Sequence, residues 1–162
     1  MTYLAQQRIR MVERFLPAID RLVGRAGLEP GDVPAHLALG DRGEEAAYFH
    51  LRKQGRLVVA RRWRSPKQPG DLDLVTWEGE TLCFVEVKAR GSHEIATAES
   101  AVDADKRRMI RRMARLYLQT LREQPRMIRF DIVSVYYNRD TDAVIRVIPG
   151  AFGWSEPAHR WS

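Results

Sequence analysis

At 162 residues and 44% hydrophobic content, the chain has the means to build one core with some appended structure, which excludes wholesale disorder. No apolar run approaches the ~18 residues of a membrane span, and the opening MTYLAQQRIRMVER scatters charges too early for a secretory leader. A net charge of +6 points to polyanionic partners, and a lone cysteine, Cys83, excludes an internal disulfide framework, as expected in a reducing cytoplasm.

Residues 2 to about 26 read as helix, because Val12, Phe15, Leu16, Ile19, Leu22, Val23 and Ala26 recur at helical spacing. Pro17 interrupts the pattern and predicts a kink or two short helices. GLEPGDVP (27–34) is a linker by composition. A second helix is predicted from about Arg42 to Gln54, with Asp41 as N-cap, Glu44 three positions later, and Gly55 placed to end it. Leu57 to Ala60 reads as a short strand leading into the basic RRWR. DLDLVTW and TLCFVEVKA then form a hairpin around Glu78-Gly79-Glu80. Cys83 sits in its apolar run and reads as a core thiol. Helix returns from about Ala101 to Glu123, with Met109, Ile110, Met113, Leu116, Tyr117 and Leu121 as its apolar stripe. Phe130 to Tyr137 is a further strand, and Ala143 to Ile148 can pair with it across NRDTD. After Phe152 the chain is aperiodic and reads as a mobile tail, 153–162. The order is α-β-β-β-α-β, a mixed sheet flanked by helices with an N-terminal helical extension.

The chemistry concentrates in the hairpin. Strand alternation puts Leu82, Phe84, Glu86 and Lys88 on one face, and Cys83, Val85 and Val87 on the other. A loop of two or four residues is expected to pair position 73 with 84, making Asp73 and Glu86 diagonal neighbours. A three-residue loop would separate them unless a bulge intervened. Two carboxylates and a lysine converging there are costly to bury without compensation. A divalent cation, Mg²⁺ or Mn²⁺, would supply it, and could activate a water and stabilise charge on a phosphate. The plain alternative is a salt bridge of Lys88 on an exposed hairpin edge. Glu44 is explained either as half of a capping box or as a helix-borne acid that reaches this cluster. Lys106 lies at helical spacing with Ile110, Met113 and Tyr117, so it needs an anionic partner or must reach back to water. The four histidines lack ligand spacing and there is no CxxC, which argues against zinc.

The positive charge is local. Arg52 to Lys67 carries +7 and Asp103 to Arg115 carries +4, which leaves −5 for the remainder. Such segregation suits a phosphate-binding face, with Arg61, Arg62 and Arg64 in the first segment. Arg107, Arg108, Arg111, Arg112 and Arg115 form an expected outer stripe in the second.

The motifs GEEAAYFHLRKQG (43–55), VVARRWR (58–64), GDLDLV (70–75), FVEVKAR (84–90), Lys106 and RFDIVSV (129–135) resemble, in order, those of the YraN-like family. That group has a restriction-endonuclease-like, PD-(D/E)XK core similar to archaeal Holliday-junction resolvases. The resemblance covers about residues 39–152 and leaves residues 1–38 outside. It implies a nuclease-type site of Asp73, Glu86 and Lys88, with Glu44 as the helix-borne acid. The metal ligands would be Asp73, Glu86 and Glu44, and Lys106 would join the catalytic set. The implied function is metal-dependent phosphodiester hydrolysis on structured or branched DNA. A non-catalytic nucleic-acid-binding module, or an interaction role in which the N-terminal helices pair with a partner or a second copy, are the alternatives. Three positions depart from the family pattern: Asp71 shortens a usual glutamate, Arg62 replaces a usual asparagine, and Ile95-Ala96 stands where Phe-Gly is expected.

Overall fold

The computed structural model describes residues 35–91, 102–137 and 143–155. The predicted helix over residues 2 to 26, and Ile95-Ala96, lie outside them. The chain divides after Pro34, and every described residue belongs to the unit Ala35–Ser162. Its elements are α1 (Ala35–Lys53), β1 (Leu57–Ser65), β2 (Gln68–Glu78), β3 (Thr81–Gly91), α2 (Ala104–Gln119), β4 (Met127–Tyr137) and β5 (Val144–Phe152).

The strands form one sheet in the order β1-β2-β3-β4-β5. All neighbours are antiparallel except β3 and β4, which run parallel from Thr81–Met127 to Gly91–Tyr137. A parallel pair cannot be closed by a tight turn, so the chain crosses over through α2. β3 is therefore buried on both faces. Leu82 and Phe84 meet Ile110, Met113 and Tyr117 of α2, while Cys83, Val85 and Val87 meet Ala47, Tyr48 and Leu51 of α1. Aromatic edges tie the α2 side together, with Tyr117 5.2 Å from Trp63 and 5.8 Å from Phe84 between ring centroids. Cys83 is the core thiol that its apolar run predicts: fully buried, and pushed up to about 11 mainly by that burial.

Two glycines set how closely the helices approach. A Cβ on Gly43 would lie 2.5 Å from the Cβ of Ala89, so α1 touches β3 directly at that level. Gly70, at φ +119°, leaves room for the Met109 side chain of α2, whose Sδ would sit 2.6 Å from an added Cβ.

Several boundaries differ from the sequence reading. α1 begins at Ala35, so Asp41 lies inside the helix and is not its N-cap. The capping-box explanation of Glu44 falls with it. Gly55 does end the helix, at φ +83°, with its N–H donated to the Arg52 carbonyl. β1 extends through the basic RRWR. The hairpin turn has two residues, Gly79-Glu80, with Gly79 at φ +58° in the first central position. Gly153 and Trp154 do not belong to a loose tail. The Trp154 ring packs 4.8 Å from that of Phe130, and the Gly153 carbonyl accepts from Arg111 Nε at 2.7 Å.

Candidate functional site

The two-residue turn fixes the hairpin register: Glu78 faces Thr81, and the ladder runs to Leu74 opposite Val85. One step further brings Asp73 level with Glu86. The expected pairing of position 73 with 84 is thus corrected by two residues, and the acids are direct neighbours rather than diagonal ones. At this point β2 and β3 cease regular pairing, and Asp73 Oδ2 accepts the backbone N–H of Val87 at 2.7 Å. The carboxylate stands in for a ladder acceptor, which locks its position.

Asp73 and Glu86 are 9% and 3% exposed, so both carboxylates are largely cut off from solvent. Burial, then the charge of Glu86, pushes Asp73 up to about 8, with a smaller contribution from Glu44. The Val87 N–H and Lys106 work against that rise. Glu86 Oε1 meets two ammonium groups, Lys88 Nζ at 3.0 Å and Lys106 Nζ at 3.1 Å. Lys106 is placed by its helix start. Asp103 caps α2 and its Oδ1 accepts the Lys106 N–H at 2.8 Å. Burial opposes the charge on Lys106, but Glu86 and Asp73 outweigh it and hold the amine above its ordinary range. The anionic partner that its apolar setting demands is Glu86.

Glu44 is engaged elsewhere. Its Oε2 accepts from Arg62 Nε at 2.5 Å, and the same guanidinium also pairs with Asp41. Among the described residues no group of three or more His, Cys, Asp or Glu side chains is gathered as a metal cage. The expected triad of Asp73, Glu86 and Glu44 is therefore reduced to a pair in this conformation. A Mg²⁺ site does not need a protein-only cage, since the ion binds through one or two carboxylates and keeps several waters. Two adjacent, buried hard-oxygen donors fit that ion.

The basic residues divide into groups that counting charges could not separate. Arg56, part of the first basic run, is buried and pairs with Asp131 at 2.8 Å, so it lines no open face. Arg61 lies over the Tyr48 ring, and Arg64 is exposed beside Asp71. On α2, Arg111 is buried and leaves the expected outer stripe. Arg107 donates to the Val102 carbonyl, while Arg108, Arg112 and Arg115 remain exposed. The sequence reading missed one anchor altogether. Asp131, fully buried, accepts from Arg56, Arg129 and the Gly150 N–H.

A mixed sheet with two acids and a lysine at the end of its central hairpin, flanked by one helix on each face, is the core of the restriction-endonuclease-like superfamily. The chain belongs to UPF0102, the uncharacterised YraN-like family of that superfamily, whose model matches residues 43–135. A UPF0102 protein of Koribacter versatilis is 44% identical over 152 residues, which is 94% of this chain and 96% of that one. That match necessarily reaches into residues 1–38. UPF0102 proteins of Solibacter usitatus and Parafrankia sp. are 48% and 38% identical over 96 and 114 residues, covering 59% and 70% of this chain and 73% and 95% of theirs.

Proposed function

We propose that this protein hydrolyses phosphodiester bonds of DNA with a divalent cation, acting on structured or branched substrates. The observation that carries this reading is the side-by-side burial of Asp73 and Glu86 with Lys88 and Lys106 both on Glu86. A stack of two carboxylates and two ammoniums half-hidden at a strand end is expensive as mere architecture. As a phosphate site, each member has work. Asp73 and Glu86 hold Mg²⁺ or Mn²⁺, which when bound lowers the pKa of a water and offsets charge on the phosphate. Lys88, 28% exposed at its side chain, reaches the attacking water or the scissile phosphate. Lys106 does the same from the α2 side, where its ammonium is held by its ion pair with Glu86. Arg61, Arg64, Arg108, Arg112 and Arg115 supply backbone contacts that fix the duplex without reading its sequence.

No helix among the described residues is long and apolar enough to cross a membrane. A cytoplasmic location, where DNA and a free buried thiol are both at home, fits this reading.

A second reading, a binding module that does not cleave, draws on one observation: Glu44 is held by Arg62. A cleavage assay with Mg²⁺ or Mn²⁺ on linear, flapped and four-way DNA separates the two, with Lys88→Ala as control. Cleavage that Lys88→Ala loses supports the enzyme. Binding without cleavage by the wild type supports the module.

A further inference from the structure

Arg62 is the one non-glycine residue among those described with a positive φ, +45°. A side chain with a Cβ is held in that region only where surrounding contacts over-determine it. The contacts here are two carboxylates one turn apart on α1, Asp41 and Glu44, both taken by the same guanidinium. Register places Arg62 between Arg61, opposite Leu74, and Trp63, opposite Leu72. It is therefore level with Asp73, and Arg62, Asp73 and Glu86 form a row across β1, β2 and β3. The contact of Gly43 with Ala89 brings the helix that bears Glu44 onto the end of β3, and the charge of Glu44 is felt at Asp73. The Arg62 side chain is 47% exposed, so an incoming phosphate can reach it.

We propose that Arg62 is a positioning residue that latches Glu44 away from the cation and releases it when a substrate phosphate takes the guanidinium. This rests on the reading of Asp73 and Glu86 as cation ligands. A planar guanidinium binds carboxylate and phosphate by the same two-pronged geometry, so one partner can replace the other. Once released, Glu44 adds a third carboxylate to the cation site. Phosphate and cation then favour each other's binding, as linkage between sites requires. The ion is bound weakly until nucleic acid arrives.

The test is calorimetric titration of Mg²⁺ or Mn²⁺ without nucleic acid. Arg62→Asn removes the guanidinium and tolerates the left-handed backbone. It should bind the cation roughly fivefold or more tightly than wild type. The gain should vanish in the Arg62→Asn/Glu44→Gln double variant, measured against Glu44→Gln alone. A gain that persisted there would be the bare loss of a nearby positive charge and would overturn the latch. Unchanged or weaker binding by Arg62→Asn would overturn it too. Asp73→Ala separates the latch from the site: if it loses cation while Arg62→Asn matches wild type, only the latch fails. If wild type takes up no cation that Asp73→Ala loses, the site reading falls and the latch with it.

Discussion

Asp73 Oδ2 lies 2.7 Å from the Val87 backbone nitrogen and accepts its hydrogen, so a carboxylate on β2 completes the ladder of β3. This bond needs an oxygen acceptor but no charge. Asp73→Asn can keep it through the amide oxygen while removing the repulsion from Glu86. In chelator-treated buffer its melting temperature should equal or exceed that of wild type, whereas divalent-cation binding should be lost. A melting temperature several degrees lower would show that the charge itself holds the fold.

On β4, where Asp131 lies level with Val85, the balance reverses. Burial by itself would raise Asp131, but Arg129, Arg56 and the Gly150 N–H more than overcome it and hold the carboxyl below its usual 3.8. A lowered folded pKa means that the unfolded chain binds more protons in acid. The stabilisation is therefore complete above about pH 4 and is lost as pH falls through the folded value. Asp131→Asn takes the buried carboxylate from Arg56, leaving it the half-exposed Glu78 at 3.2 Å, and should cost about 3 kcal/mol at neutral pH. It should also flatten the loss of stability below pH 4, read by urea unfolding across the pH range.

The hairpin shows what was legible in the sequence and what was not. Alternation in TLCFVEVKA assigned Leu82, Phe84 and Glu86 to one face and Cys83, Val85 and Val87 to the other, and the two cores divide in that way. The register depended on where the turn falls within Glu78-Gly79-Glu80: its two residues are Gly79-Glu80, which sets Asp73 level with Glu86 rather than with position 84. The start of α1 was misplaced because Asp41 carries a capping residue's chemistry but spends it on Arg62, 21 positions away. Arg56 joined a basic run that reads as a surface, while its partner Asp131 lies 75 positions on. Local pattern carries face and element; partners brought in by the fold leave no local trace.

The arginines of α2 divide in the same sense, and mutation should expose the division. Reversing Arg108, Arg112 and Arg115 to glutamate should weaken DNA binding for all sequences alike. Each lost phosphate contact should flatten the salt dependence by about one unit of logarithmic slope. Arg111→Ala should instead lower thermal stability, because Arg111 is buried and donates to the Gly153 carbonyl. An unchanged salt slope in the triple variant would remove α2 from the DNA-binding face.

Gly43→Ala pushes a methyl to 2.5 Å from the Ala89 Cβ, so α1 and β3 must separate. Overpacking of this kind should cost about 1–3 kcal/mol. Thermal melts check the magnitude, and a neutral result would mean that α1 can shift freely on the sheet.

The central claim is that Asp73 and Glu86 hold a cation while Lys88 acts on the phosphate or its attacking water. Measuring cation affinity and cleavage rate side by side in Asp73→Ala, Glu86→Ala and Lys88→Ala tests it most directly. Either carboxylate variant should lose both cation binding and cleavage. Lys88→Ala should keep the cation and lose ~10²-fold or more in rate, the scale of one electrostatic stabiliser. If Asp73→Ala and Glu86→Ala both retain wild-type affinity for Mg²⁺ and Mn²⁺, the cluster is a salt bridge and the nuclease account is contradicted.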